Sequence, residues 1–346
     1  MKNKRWIKLY FIVPAIIISM IFIINFVVDP YSMTVYNILK IPNKFARDDR
    51  VEKVSKLKTS PKYDNIILGS SRVYSSNPLM VTKYLGGTTY NAGVGTARVE
   101  DHLGFILLLA KLDKLPKNLI IGLDFYSFNS ELETNKYFLK NKDLNFLNKR
   151  LSNESYISNF LSIDALRASY KTLKNFLKSK KSKPRFDENG ASQNASKIFA
   201  YQPDEAFSKA PFSEAQIDEE MKFIKTISYS SISKKRVSYL KQIIKICAKH
   251  DINLYLFLTP LHGQLISKIE NDKELYKKLR SLKNIIKSQT PYYDFIQHSQ
   301  INDNPIYFNN LTHTTPIGGN LIYAKIFNDK NISFAKDFGI FVEQDN

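Results

Sequence analysis

Three rhythms of apolar and polar positions run along the chain. Residues 9–28, LYFIVPAIIISMIFIINFVV, form one unbroken apolar run with no charge and only Ser19 and Asn25 as clearly polar side chains. Twenty residues at helical rise reach about 30 Å, the hydrocarbon thickness of a bilayer. Over 60–128 and again over 233–330, short apolar runs alternate with longer amphipathic ones. Residues 65–68 (NIIL), 88–94, 118–125 (NLIIGLDF), 252–258 (INLYLFL) and 292–296 predict buried strands. Helices are predicted from about Asn77 and over 99–112, 234–250, 272–288 and 316–327. Continuous apolar strands alternating with helices predict a parallel sheet covered on both faces, a three-layer α/β domain assembled from two separated stretches. Between those stretches, 129–232 is polar, helix-prone and without strand alternation.

The pattern divides the chain into a basic flank (1–8), an anchor (9–28), a juxtamembrane segment (29–60), an α/β domain (61–330) interrupted by the insertion, and a tail (331–346). A cleaved signal peptide would have an apolar core of about 7–15 residues closed by a small-x-small site. This run is longer and ends in Val-Val-Asp-Pro-Tyr. A buried core helix would carry a polar face, and none exists. Lys2, Lys4, Arg5 and Lys8 precede the run, with no acid before Asp29. That bias keeps the N-terminus in the cytoplasm and sends the main domain to the periplasmic or extracellular side. Pro14 is tolerable in a membrane helix.

Charge and composition then narrow the partners. Of 346 residues, 51 are Lys or Arg and 32 Asp or Glu, a formal charge of +19. Without the four basic flank residues, 47 basic and 32 acidic side chains leave +15 outside. Such an exterior fits anionic headgroups, teichoic-acid-like polymers or acidic polysaccharides, and in that compartment nucleic acid is not expected. Seven basic side chains and no acid occupy 171–185 (Lys171, Lys174, Lys178, Lys180, Lys181, Lys183, Arg185). The run reads either as a solvated surface insertion or as a docking surface for an anionic polymer or headgroups. The single Cys247 excludes an intramolecular disulfide framework and any Cys-based metal site. No GxxxxGK[ST], HExxH or GxGxxG arrangement occurs, so no cofactor or metal is expected.

In a parallel α/β sheet, ligands bind beyond the carboxyl ends of the strands. The chemistry-bearing residues at those ends are Ser70, Ser71 and Arg72, then Asn91-Ala92-Gly93, then Asp124, then Thr259-Pro260-Leu261-His262. Asn310-Leu311-Thr312-His313 stands just ahead of the last predicted helix. A serine at a strand-to-helix turn can serve as nucleophile with a loop histidine as base, although turns also favour serine as a cap. His262 reads as a cleft-lining or plain loop residue, and His102 as surface or packing. Arg72 reads as an anchor for an anionic acceptor or as a salt bridge within its turn. Tyr307 and Phe308 read as core before sugar platform.

In order and spacing these blocks resemble the SGNH/GDSL hydrolase superfamily. Gly69-Ser70-Ser71 resembles its first block, with Ser71 as nucleophile and Ser70 in the aspartate position. Asn91-Ala92-Gly93 resembles the second, and the resemblance implies an oxyanion hole from the Ser71 and Gly93 N–H groups. Asn310-Leu311-Thr312-His313 sits where an Asp-x-x-His block belongs. The Gly-Ser-Ser-Arg form, the anchor and the interrupted domain resemble a membrane-anchored subgroup, the alginate O-acetylation and lipoteichoic-acid D-alanylation factors, which work beside membrane-bound O-acyltransferases. Two positions depart. Asp124 stands where the third block has an oxyanion-hole Asn, and an ionised carboxylate cannot donate there. Asn310 replaces the carboxylate that orients the histidine; the same change in serine proteases costs about 10⁴ in turnover.

The resemblance implies an outward-facing serine O-acyltransferase or esterase acting on an envelope polymer through an acyl-Ser71 intermediate. His313 would be base and Asn310 its orienting group, with Asp124, Ser70, Arg72, Asn91 and His262 in support. Two further readings stay open: Asp124 or another acid reaches His313 instead, or the chain is a non-catalytic accessory that binds the polymer or an acyltransferase.

Overall fold

The structure, a computed structural model, describes residues 2–30, 38–39, 41, 49–147, 160–178, 185–192, 194–203, 208–227, 231–332 and 337–345. Lys180, Lys181 and Lys183 of the basic run, and most of 31–48, lie outside those residues. The described elements open with α1 (Lys2–Val28), α2 (Asp49–Thr59), β1 (Asn65–Leu68), α3 (Pro78–Leu85), β2 (Thr89–Asn91), α4 (Val99–Lys111) and β3 (Asn118–Leu123). Then come α5 (Lys136–Lys140), α6 (Ile163–Leu177), α7 (Glu214–Ile227), α8 (Lys234–Lys249), β4 (Asn253–Leu258), α9 (Gly263–Asn271) and α10 (Lys273–Lys287). The last are β5 (Tyr292–Asp294), β6 (Phe308–Asn310), β7 (His313–Thr314), α11 (Pro316–Ile326) and β8 (Ile340–Val342). They fall into two units, Met1–Lys56 with Lys136–Pro184, and Leu57–Asn135 with Arg185–Asn346.

The second unit holds a six-stranded sheet in the order β2-β1-β3-β4-β5-β8. The first five strands are parallel, and β8 closes one edge antiparallel to β5. Its register is written at the strand starts. Asn65, Asn118 and Asn253 open β1, β3 and β4 and face one another in the pairing. Asn118 Nδ2 donates to Asn65 Oδ1 at 2.7 Å, and Asn253 Nδ2 to Asn118 Oδ1 at 2.9 Å. A slip of one residue would break this amide ladder and turn the alternate side chains to the wrong face. On one face Ile67, Ile120, Phe257 and Phe295 pack under Met80 and Val81 of α3 and Leu321, Ile322 and Ile326 of α11. The alternate residues Ile66, Leu68, Leu119, Ile121 and Leu256 are equally buried, on the face that α8 contacts and where α4 packs with α8. Burial on both faces explains why these strands read as continuous apolar runs.

Several predicted bounds shift. β2 ends at Asn91, although the Ala92 and Val94 N–H groups still reach the Ile67 and Gly69 carbonyls. Residues 129–232 do not behave as one block. Their ends pair, Asn129 bridging Ile232 and Ser130 N–H reaching Ser231 O, so the excursion leaves and returns at one point. Residues 136–178 belong to the first unit, whereas the described part of 185–232 belongs to the second. Within the tail, β8 is a sheet strand that the short run Ile340–Val342 did not announce.

In the first unit, α1 is long and apolar enough to cross a membrane over Tyr10–Val28. Its side chains from Tyr10 to Met20 are exposed, and burial begins only in the last two turns. There Phe22 and Phe26 meet the ring of Phe160, and Asn25 is fully buried. Asn25 Nδ2 donates to Phe160 O at 2.8 Å, and Ser169 Oγ of α6 donates to Asn25 Oδ1 at 2.9 Å.

Candidate active site

Parallel pairing brings the C-terminal ends of β1, β2, β3 and β4 to one edge of the sheet. The chain leaves β1 through Gly69-Ser70 into a 3₁₀ turn, Ser71–Val73. Ser70 caps that turn: its Oγ accepts the Arg72 N–H at 3.2 Å. The turn sits low on the strand ends because three glycines receive the Val73 side chain. A Cβ on Gly69, Gly93 or Gly122 would meet a Val73 methyl at 2.6, 2.5 or 2.9 Å respectively. Asn91, fully buried, pins the same turn by donating from Nδ2 to Val73 O at 2.6 Å.

The histidine arrives on a small antiparallel hairpin, β6–β7, that the apolar pattern did not predict. Ser75 Oγ donates to Thr314 O at 2.7 Å, tying the segment after Ser71 directly to the strand of His313. The His262 N–H donates to Leu311 O at 2.9 Å, fastening the exit of β4 to the same loop.

Ser71 Oγ lies 2.9 Å from His313 Nε2, and His313 Nδ1 lies 3.0 Å from Asn310 Oδ1. The orientation of the Asn310 amide follows from its other bonds. Its Oδ1 accepts the backbone N–H groups of Thr312 (3.0 Å) and His313 (2.9 Å), an Asx turn only the oxygen can make. With the oxygen so fixed and the Thr312 hydroxyl donating to the same oxygen at 3.3 Å, a proton on Nδ1 satisfies the contact with Asn310 and leaves Nε2 free to accept from the serine hydroxyl. The Asx turn therefore selects the tautomer that a general base requires. Burial pushes the His313 imidazole down to about 4, Arg72 pushes the same way, and Asp124 opposes both. At neutral pH the ring is the neutral base.

Asp124 does not orient His313; its carboxylate faces elsewhere. Oδ1 accepts from Thr259 Oγ1 at 2.6 Å and lies 3.6 Å from Arg72 Nη1, while Arg72 Nη1 donates to Thr259 Oγ1 at 3.2 Å. All three side chains are buried. Arg72 thus pairs across strands, not within its turn, and the charge at the third-block position is matched by a cation.

Of the two N–H groups expected to make an oxyanion hole, one is already engaged. The Ser71 N–H meets no acceptor among the described residues, whereas the Gly93 N–H donates to Asn91 Oδ1 at 2.9 Å. Gly93 and Asn91 build the floor of the turn; in this state Gly93 offers no free donor. His262 lies away from the nucleophile. Its ring is buried between Phe212 and Phe308, its Nδ1 caps α9 at Gln264 N, and burial lowers its pKa to about 4. His102 is buried on α4, and Phe308 is core while Tyr307 is half-buried.

Sequence reasoning placed Thr259 at a strand end without a role and missed Glu220 altogether. Thr259, a Thr before Pro260, is the hydroxyl that links Arg72 to Asp124. Glu220 of α7 brings a half-buried carboxyl close enough to Arg72 and Thr312 to feel both; burial raises its pKa and they oppose the rise. Neither carries a local signal, because each acts only through the tertiary arrangement. Among the described residues no group of His, Cys, Asp and Glu could hold a metal ion. Set against known proteins, the chain matches no family model and no curated sequence.

Proposed function

We propose that this chain is a membrane-anchored, outward-facing serine acyltransferase or esterase of SGNH-like type, acting on esters of a cell-envelope polymer. The observation that carries the reading is the relay Ser71 Oγ–His313 Nε2 at 2.9 Å and His313 Nδ1–Asn310 Oδ1 at 3.0 Å, within the reach that general-base catalysis needs. Ser71 Oγ attacks the acyl carbonyl carbon as its proton passes to His313 Nε2. The Ser71 N–H faces the developing oxyanion. Collapse of the tetrahedral intermediate expels the donor oxygen, which takes the proton from His313. An acceptor hydroxyl, or water, then gives its proton to His313 and attacks the acyl-serine ester, restoring Ser71. The excess of positive charge outside the anchor favours an anionic acceptor, a rate effect that salt weakens.

A second reading, an accessory protein that binds the polymer or an acyltransferase without catalysis, draws support from the engaged Gly93 N–H and from Asn310 in place of a carboxylate. A fluorophosphonate probe applied to the full chain in membranes separates the two. Labelling that disappears in Ser71→Ala and in His313→Ala upholds the enzyme. A wild-type chain that never labels, together with full envelope acylation by Ser71→Ala in a deletion strain, refutes it.

A further inference from the structure

Helix α6 belongs to the first unit and makes none of the site's contacts, yet its three faces are sharply different. One face is small and buried: Ala165, Ala168, Ser169 and Thr172. Ser169 on this face bonds Asn25, and α6 packs on α1. A second face carries Ile163, Tyr170 and Leu177, a stripe at seven-residue spacing that is 62%, 63% and 78% exposed. Leu166 and Leu173 lie beside that stripe, half-buried. The third face carries Arg167, Lys171, Lys174 and Lys178, all exposed, against the single acid Asp164. Water is a poor environment for the second face, which has only Lys174 Nζ, 5.9 Å from the Tyr170 ring centroid, set over it among the described residues.

Depth is set by the contact with α1. Asn25 lies three residues before the end of the span, about 4.5 Å along a helix axis. A helix lying in the interface buries its apolar face about 5–10 Å into the boundary between headgroups and acyl chains, with Lys and Arg on the other side. The exposed apolar surface of α1 and the stripe of α6 then share one solvent.

We infer that α6 is an interfacial helix: Ile163, Tyr170 and Leu177 insert among the headgroups of an anionic bilayer, and Arg167, Lys171, Lys174 and Lys178 meet the lipid phosphates. The inference rests on α1 as a membrane span and is independent of the chemistry at Ser71. It assigns Lys171, Lys174 and Lys178 of the basic run to lipid instead of polymer.

Trp6 is the only tryptophan, so single-tryptophan reporters are simple to make. The full chain is reconstituted in bilayers of phosphatidylcholine and phosphatidylglycerol whose chains are brominated near the headgroup. In the Trp6→Phe background, Leu177→Trp should lose most of its fluorescence to the bromolipid and resist aqueous iodide, while Asn175→Trp on the polar side should do the reverse. Replacing Lys171, Lys174 and Lys178 with Gln should lower the quenching at 177 to its level in bilayers lacking phosphatidylglycerol. Iodide quenching at 177 equal to that at 175 overturns the inference. So does protection from iodide without bromolipid quenching, which would mean a protein partner on that face. In the Trp6→Phe background, Ile18→Trp near the middle of the span, if left unquenched in deeply brominated bilayers, overturns the span on which it rests.

Discussion

Replacing Asn310 with Asp should accelerate acylation of Ser71 and move its pH dependence upward. The carboxylate can accept the same Thr312 and His313 N–H groups, at 3.0 and 2.9 Å, so the turn survives. What changes is a full negative charge beside Nδ1, where the amide oxygen now lies 3.0 Å away. A unit charge about 4 Å from the imidazolium is worth about 4 kcal/mol at an effective dielectric of about 20. Asn310 is exposed and Arg72 acts on His313 with the opposite sign, so screening and the cation leave about 1.4–2.8 kcal/mol, or about ten- to a hundredfold in rate. The factor falls short of the roughly 10⁴ that separates Asp from Asn in serine proteases because that loss includes a wrong tautomer. Here the Asx turn already fixes the tautomer. The rate of fluorophosphonate labelling of the full chain, followed from pH 4 to 8, measures both effects. The wild-type rate should stay level down to about pH 5 and fall through about 4, following His313. In Asn310→Asp the fall should occur nearer the ordinary imidazole value of about 6.5. Unchanged rate and inflection in Asn310→Asp, or a wild-type rate matched by Asn310→Ala, would refute this account of the relay.

Other expectations follow from the same geometry. Asp124→Ala strands the buried Arg72 without its counter-charge, and should cost about 3–5 kcal/mol in denaturant unfolding of the solubilised chain; adding Arg72→Met should recover part of it. Gly93→Ala puts a Cβ 2.5 Å from Val73 Cγ2 and should cost about 1–3 kcal/mol, with Val73→Ala relieving the clash in the double variant. His262 and His313 both titrate near 4 when folded, against about 6.5 unfolded, so the unfolded chain binds more protons between those values. Thermal midpoints should therefore hold above about pH 6.5 and fall as pH drops towards 4, and His262→Phe should flatten part of that slope.

The sheet was legible because its strands are buried on both faces, which leaves continuous apolar runs; the Asn65–Asn118–Asn253 ladder that fixes their register shows only in the structure. Ser71, His313 and Asn310 were legible for a different reason: each stands in a short block at the end of a strand or ahead of a helix. The β6–β7 hairpin was not, since a two-residue strand such as His313–Thr314 has no periodicity to read. Nor was the use of Asp124, because Arg72, Thr259 and Asp124 are 52 and 135 residues apart in sequence and meet only across strands. The basic run illustrates the limit of composition. Counting charges cannot distinguish Lys171 and Lys174 on a helix beside α1 from Arg185 in the other unit.

Gly93 is where sequence pattern and physical role part most instructively. Its lack of a side chain is required by Val73, whose methyls fill the space that a Cβ would need, and its N–H is taken by Asn91. The pattern Asn-Ala-Gly therefore serves first to seat the Ser71–Val73 turn. Asn91 does so at both ends of its amide, holding Val73 O and the Gly93 N–H together. Losing one preorganised oxyanion donor costs about 2.7–4 kcal/mol in enzymes that depend on it. Of the two expected N–H donors, that of Ser71 meets no acceptor among the described residues and that of Gly93 is engaged, so the Ser71–His313–Asn310 contacts are in place while the expected donor pair is not. Freeing the second donor means breaking the Asn91 bond that anchors the turn, so a substrate that recruits Gly93 must offset that bond from its own contacts. On the proposed function, turnover of small esters should therefore be slow and should rise when a large polymer or partner is added; equal rates with and without it would refute this coupling.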